Sequence, residues 1–481
     1  MFRPIILTAC VFVLTVAAAP IGAPTIISDL GQAQRYIVLR GTVTGTVNGS
    51  IQSLVGASVD LEDSNADLIH RIVASVVTDA NGEYMISNPV PQLQETPDIR
   101  PGTYQLFASY RGGRVAVGPV MIGAFSTKTI DIRMGPIVRS GGAPPPPPAV
   151  TFFATDREAV PNDANLQTMF MNARIVAPCA PDPDCIMSYG MSEPTGPILG
   201  PAQTVPQAGP SRIDALLDFI RSAFPSAQSL LIFVHGYNND FFSPFQLGAT
   251  WVSALDPGEP VIVYSWPSNH ATLKYIDDET NNTWAQDHFR NFLVALLNSP
   301  KAPKTINILA HSMGNRLVAE ALDYLGSTRL PTRNTIGQVI FAAPDIDSGT
   351  FFEMVPTMAS VAVGLTMYGS THDEALRLSR GLHGHCRAGL VGCDYDVPSI
   401  SNFNAIDTSI FYCDLLGHGY WAQSNTIRAD VAAALERGVN TPQAIRPHLR
   451  PGPMPNSYVF FEVPPGDNSC AGQAIGSMRW L

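Results

Sequence analysis

Two periodicities divide the chain. Between about residues 36 and 134, short runs tend to alternate apolar and polar positions, with turn residues between them. Tyr36-Ile37-Val38-Leu39 and Gly41-Thr42-Val43-Thr44-Gly45 are rich in β-branched side chains. Ala57-Ser58-Val59-Asp60-Leu61, Ala74-Ser75-Val76-Val77-Thr78 and Tyr104-Gln105-Leu106-Phe107-Ala108 alternate wholly or in part, and Thr129-Ile130-Asp131-Ile132-Arg133 does so strictly. Asp79-Ala80-Asn81-Gly82 supplies a turn in which Gly82 can take positive φ. With no helical period in this region, the pattern predicts a small all-β sandwich over 36–134.

From residue 150 the pattern becomes alternating apolar runs and amphipathic stretches. Leu230-Leu231-Ile232-Phe233-Val234, Val261-Ile262-Val263-Tyr264, Ile306-Asn307-Ile308-Leu309-Ala310 and Val339-Ile340-Phe341-Ala342 are nearly continuous apolar runs. Such runs suit strands buried on both faces of a parallel sheet. Helices are predicted between them, over 284–297 and 316–325, the second with Leu317, Ala321 and Tyr324 or Leu325 on one face. This alternation predicts an α/β domain with a mainly parallel sheet over 150–437, followed by a tail over 438–481. The stretch 135–149 contains five consecutive prolines, 144–148, and reads as a semi-rigid linker between the two parts.

The first residues add a destination. Arg3, a short apolar stretch over 5–19 and small residues at its end make a signal peptide, with cleavage after Ala18. Leu7-Thr8-Ala9-Cys10 resembles a lipoprotein box, but a cut there would leave almost no apolar core, so lipid anchoring at Cys10 is disfavoured. No later stretch is long and apolar enough to span a bilayer, so the mature protein is expected to be exported without a transmembrane segment. Of seven cysteines, removal of Cys10 leaves Cys179, Cys185, Cys386, Cys393, Cys413 and Cys470. An even number in an exported chain favours disulfides, with 179/185 and 386/393 as loop staples and 413/470 tying the tail to the core. A formal charge of −11 means that a nucleic-acid groove would oppose the net field, so no nucleic-acid partner is expected. Nothing in the chain sets an oligomeric state.

Ala310-His311-Ser312-Met313-Gly314 follows one apolar run and precedes a predicted helix, the context of a nucleophile elbow. The sharp turn wants small residues two positions either side of the serine, here Ala310 and Gly314. Ser312 is therefore the candidate nucleophile. His235-Gly236-Tyr237-Asn238 follows another apolar run, where a loop can donate a backbone N–H to an oxyanion. The two expected donors are the N–H groups of Tyr237 and Met313, with His235 in a loop-structuring role.

A serine needs a base and an orienting acid. His418, between glycines in Leu416-Gly417-His418-Gly419-Tyr420, is preferred as base over His372, His383 and His385. Leu365-Thr366-Met367-Tyr368 reads as a late strand, and the carboxylate that follows it, Asp373, is preferred as acid. Asp407, Asp345 and Asp347 are the alternatives, the last two also suited to capping a helix or a turn. His383 and His385 have a spacing that could hold a metal, but a cysteine-stapled loop is the preferred reading. Neither a metal nor a cofactor is expected.

Two resemblances go with these patterns. Gly41-Thr42-Val43, Gly56-Ala57-Ser58-Val59, Thr78-Asp79-Ala80-Asn81-Gly82-Glu83-Tyr84 and Pro101-Gly102-Thr103-Tyr104 resemble the carboxypeptidase-regulatory-like domain, which implies a scaffold or binding module. Phe152-Phe153-Ala154-Thr155-Asp156-Arg157, Val234-His235-Gly236-Tyr237-Asn238, Tyr264-Ser265-Trp266-Pro267-Ser268 and Ala310-His311-Ser312-Met313-Gly314-Asn315 recur in order. With Ala343-Pro344-Asp345-Ile346-Asp347, Asp373-Glu374-Ala375-Leu376 and Gly417-His418-Gly419-Tyr420 they are similar to a bacterial α/β-hydrolase family without an assigned function, related to esterases and lipases. That resemblance implies an α/β-hydrolase fold and an esterase-like triad on Ser312, Asp373 and His418. The expected substrate is a small-molecule or lipid ester. A thioesterase or peptidase would use the same atoms, and a catalytically silent surface protein working through its sandwich is the competing class.

Overall fold

The computed structural model describes residues 38–47, 50–54, 58–62, 72–78, 81–87, 102–110, 113–122, 127–136, 149–174, 187–195, 198–205, 211–256, 258–270, 274–393, 397–411, 417–437, 446–460 and 462–464. The predicted signal peptide, Cys10, the proline run and the pairs Cys179/Cys185 and Cys413/Cys470 lie outside the described residues. Among the described residues, no helix is long and apolar enough to cross a membrane.

The described residues of the N-terminal part form two sheets around one core. Strand Val38–Val47 organises the first sheet, and Ser58–Glu62, Ile72–Val77, Gly102–Tyr110 and Gly113–Ile122 form the second. Leu39, Val43, Tyr84 and Ile86 from one sheet share a cluster with Val59, Leu61, Leu106, Val120 and Ile122 from the other. Period-two burial of this kind is what the alternating sequence requires.

One predicted strand is divided. Thr127–Thr129 pairs with Val38, Leu39 and Arg40, whereas Ile132–Pro136 pairs with Val43 to Thr46. Between them Asp131 accepts hydrogen bonds from the Thr42 N–H and hydroxyl at 3.0 and 2.9 Å. The Ile130 carbonyl comes so close to Gly41 that an added Cβ would stand 1.9 Å from its oxygen. Strict alternation at Thr129-Ile130-Asp131-Ile132-Arg133 hid this break because it depends on a residue some ninety positions away.

From residue 151 onward the chain builds a separate, larger sheet. Its strands Thr151–Thr155, Val261–Ser265, Ser229–Val234, Thr305–His311, Thr335–Ala342, Ala362–Gly369, Phe403–Asp407 and Ser457–Phe460 are neighbours in that order, each pair parallel. Antiparallel strands Ser188–Ser192 and Leu449–Pro451 flank this run. The apolar strands face two cores. Leu230, Ile232 and Val234 enter one cluster with helices Arg212–Ala223, Tyr275–Asn298, Gly314–Thr328 and Ser348–Ala359. Leu231 and Phe233 enter the other with Phe241, Phe245, Leu376, Trp421 and helix Asn425–Arg437. A sheet covered on both faces explains the absence of alternation in its strands.

Two details add to the expectations for this half of the chain. The tail over 438–481 contributes strands Leu449–Pro451 and Ser457–Phe460 to the sheet, and Arg446 pairs with the buried Asp430. On helix Gly314–Thr328, Leu317, Ala321 and Leu325 are buried, but Tyr324 is 39% exposed and lies under Arg290, whose guanidinium carbon is 4.5 Å from the ring centroid.

Candidate active site

Strand Thr305–His311 turns sharply into helix Gly314–Thr328 at Ser312, which has φ 54°. A non-glycine residue in this region is strained and needs outside support. The Ser312 N–H donates to the Ala342 carbonyl at 2.9 Å. Its carbonyl accepts from Asn315 Nδ2 at 2.8 Å, from the Asn315 N–H at 3.1 Å and from the Asp345 N–H at 3.2 Å. Asn315 is fully buried, and its Nδ2 also reaches the Ala342 carbonyl at 3.0 Å. The elbow is thus held by its own helix and by the end of the neighbouring strand.

The loop after strand Ser229–Val234 is pressed against this turn. A Cβ on Gly314 would stand 2.2 Å from the His235 carbonyl oxygen, and one on Gly236 would stand 2.7 Å from the Ser312 Cβ. Glycine is required at both positions by close approach. His235 stacks on Trp266 at 5.1 Å between centroids and 9° between planes, while the Trp266 indole donates to the His235 carbonyl at 2.8 Å. Burial, aided by the nearby Arg157 charge, pushes the His235 pKa down to about 3, so the ring is neutral. That suits a loop-structuring residue.

Tyr237 follows on the same loop, and Met313 is fully buried at the helix start. The first N–H groups of a helix have no intrahelical acceptor, and the positive end of the helix dipole lies there. Asp278, a residue the sequence reading did not single out, accepts from the N–H groups of Asn238 at 3.2 Å and Asn269 at 2.7 Å. It also accepts from the Ser268 hydroxyl at 2.5 Å. Burial raises the Asp278 pKa despite these donors.

His418 lies just before the short helix Tyr420–Gln423. Its Nδ1 lies 2.7 Å from Oδ2 and 2.9 Å from Oδ1 of Asp373, which is fully buried. The carboxylate can only accept, so Nδ1 carries the proton and Nε2 is left as a base. Asp373 also caps helix Glu374–His383, accepting from the Leu376 N–H at 2.9 Å. Gly417, with φ 58°, brings the chain against the His372 carbonyl; a Cβ there would stand 2.1 Å from that oxygen.

The ring of His311, next to Ser312, packs against those of His418 at 4.8 Å and Trp421 at 5.4 Å. Its Nε2 lies 3.3 Å from the His418 carbonyl. Burial holds the His311 pKa well below the usual histidine range. Ser312, Met313, Gly236, His418 and Asp373 therefore gather at the carboxyl end of the parallel strands, where open α/β sheets place ligands.

The alternative carboxylates are engaged elsewhere. Asp407 accepts from the N–H of Ser409 at 2.8 Å and from its hydroxyl, and burial raises its pKa. Asp347 caps helix Ser348–Ala359 through the Thr350 N–H at 2.9 Å. Asp345 accepts from the Tyr275 and Ser379 hydroxyls at 2.5 and 2.6 Å. Burial would raise its pKa, but Arg316 and Arg387 outweigh that and lower it. His372 Nδ1 lies 3.1 Å from the Ser409 carbonyl, and His383 bridges the Ser379 carbonyl and Glu279, each at 2.7 Å. Cys386 and Cys393 form the expected disulfide, with Cα atoms 5.9 Å apart.

Residues 216–436 match the model of a family described as an alpha/beta hydrolase of unknown function (DUF900). This segment is an α/β-hydrolase domain similar to that family. It spans Tyr237, Ser312, Asp373 and His418; the Phe152–Arg157 motif precedes it. No curated protein matches the chain. Among solved structures, the Pyrococcus furiosus esterase Pf2001 is 12% identical with a TM-score of 0.22, over 46% of this chain and 76% of that one. The minor pilin GBS52 of Streptococcus agalactiae is 18% identical with a TM-score of 0.16, over 21% of this chain. The chain spans 45% of that pilin's length. Likenesses of this size say nothing about substrate.

Proposed function

We propose that the α/β-hydrolase domain is an exported serine hydrolase of carboxylic esters, with Ser312 as nucleophile, His418 as base and Asp373 as orienting acid. The observation that carries this reading is the two-oxygen contact of buried Asp373 with His418 Nδ1, at the same sheet end as the strained Ser312 elbow. A serine with positive φ and a paired imidazole beside it have no evident purpose in packing alone.

In the proposed reaction His418 Nε2 takes the proton of the Ser312 hydroxyl as Oγ attacks the ester carbonyl carbon. Negative charge moves to the carbonyl oxygen, where the N–H groups of Tyr237 and Met313 receive it. Collapse of the intermediate breaks the ester C–O bond, and His418 returns its proton to the departing alcohol. Water then attacks the acyl-serine with His418 again as base, releasing the carboxylic acid and restoring Ser312. Asp373 keeps the imidazole oriented and stabilises its cationic form. Export is supported by the disulfide between Cys386 and Cys393, which fits an oxidising compartment.

A series of nitrophenyl esters of increasing acyl length tests the activity. Hydrolysis by wild type that is lost in Ser312→Ala supports the reading. Equal rates in the two proteins would sink it.

A further inference from the structure

Arg157 lies two residues past strand Thr151–Thr155, at the start of strand Arg157–Ala159, and its whole side chain is buried. Nε donates to the Ser265 hydroxyl at 2.9 Å. Nη1 donates to Asn172 Oδ1 and to the Ser268 carbonyl, both at 3.0 Å. Nη2 donates to the carbonyls of Asn239 at 2.9 Å and Asp240 at 3.2 Å. Every N–H of the guanidinium therefore has an acceptor. Burial lowers its pKa to about 10, which leaves it charged at neutral pH.

Burying a charge is costly, and none of these direct acceptors is a carboxylate. What the acceptors share is their place: the Asn239 and Asp240 carbonyls belong to the loop that carries Gly236 and Tyr237. Asn239 continues the connection. Its Nδ2 donates to the Gly236 carbonyl at 3.1 Å and the Tyr237 carbonyl at 2.9 Å, and its N–H donates to Ser268 Oγ at 3.0 Å. Between them Asn238 holds φ 59°, a strained conformation that needs such support.

We propose that Arg157 is a positioning residue for acyl transfer, fixing the loop so that the Tyr237 N–H faces the oxyanion forming over Ser312. This rests on the serine-hydrolase reading above. Arg157 touches no reacting atom; it sets the direction of peptide groups that do. Because the oxyanion exists only in the transition state, a loosened loop should lower kcat and leave KM nearly unchanged. Lysine keeps the charge but lacks the planar five-donor fork, so it should not substitute.

The test uses the full mature chain, with competent sites counted by end-point fluorophosphonate titration so that misfolded protein does not enter kcat. Arg157→Lys should lower kcat per titrated site by about 100-fold, within the usual range for a lost oxyanion donor, with KM changed by less than about threefold. Its affinity for a trifluoromethyl ketone, whose hemiketal mimics the oxyanion, should fall by a similar factor. Asn239→Ala leaves Arg157 in place while cutting its link to Gly236 and Tyr237, and should act in the same direction; it decides the matter if Arg157→Lys does not fold. A purely structural Arg157 would lower the melting temperature and the number of titratable sites, with kcat per site and ketone affinity unchanged. That outcome, in an active wild type, overturns this proposal alone. A wild type that neither labels nor hydrolyses esters overturns the serine-hydrolase reading and this proposal with it.

Discussion

Asp373 holds His418 with both carboxylate oxygens, and Oδ1 also receives the Leu376 N–H at the start of helix Glu374–His383. One buried carboxylate thus fixes an imidazole and closes a helix. Two functions in one side chain can be separated by changing its charge while keeping its shape.

Asn is as good a helix cap as Asp. Asp373→Asn should therefore keep a near-native melting temperature, yet present a donor where the His418 tautomer needs an acceptor. On the proposed mechanism kcat should fall by about 1000-fold or more, as triad acids do elsewhere. Asp407→Asn should change kcat by less than about threefold, because Asp407 is held by Ser409. Steady-state kinetics of the two variants beside thermal melts checks both statements. The reverse order of effects would move the acid to Asp407.

Gly417 should tolerate no side chain. Alanine there meets both the positive φ and the His372 carbonyl. The left-handed conformation alone costs about 1–2 kcal/mol. Gly417→Ala should displace His418 from Asp373 and lower kcat at least tenfold, by order of magnitude. Wild-type kinetics in this variant would show that the loop relaxes without moving the base.

Stability should fall on acidification through a window set by His235. Its pKa is lowered from the ordinary value near 6.5 to about 3, so between these values the unfolded chain binds more protons than the folded one. Under that condition stability rises with pH, reaching its full value above about 6.5 and declining toward pH 3. His235→Gln removes this contribution. Melting temperatures measured from pH 7 to pH 4 should decline less steeply in the variant, whatever its stability at pH 7. Parallel curves would contradict the assignment.

The disulfide braces the acid side of the site. Between Cys386 and Cys393, the Gly389 N–H donates to the Pro344 carbonyl at 3.0 Å and the Gly389 carbonyl accepts from the Ser370 N–H at 3.0 Å. The loop thereby joins the ends of two sheet strands. Closing so short a loop stabilises by about 2–3 kcal/mol on chain-entropy grounds. A double Cys386→Ser, Cys393→Ser variant should melt several degrees lower. Identical melts in both proteins would show that the strand ends hold the loop unaided.

Much of this site is written locally in the chain. Strands such as Leu230 to Val234 are legible because burial on both faces demands unbroken apolar runs, and Ser312 because its turn demands a strand before it and a helix after it. Asp373 could be chosen over Asp407 only by weight, since both follow late strands, and the difference lies in which one faces His418. Gly417, Arg157 and Asp278 had a fainter signal: a glycine beside a chosen histidine, and charges at the borders of apolar or helical segments. Their roles come from contacts with His372, Asn239 and Asn238, which are far away in sequence. The strands after Arg446 escaped notice because they are short and only partly apolar.

Reaction of the protein with a fluorophosphonate, followed by peptide mapping, asks whether Ser312 is the nucleophile. A single covalent adduct is expected on Ser312, absent from Ser312→Ala and formed far more slowly in His418→Gln. Equal labelling of wild type and Ser312→Ala, or an adduct on another residue with Ser312 untouched, would contradict it.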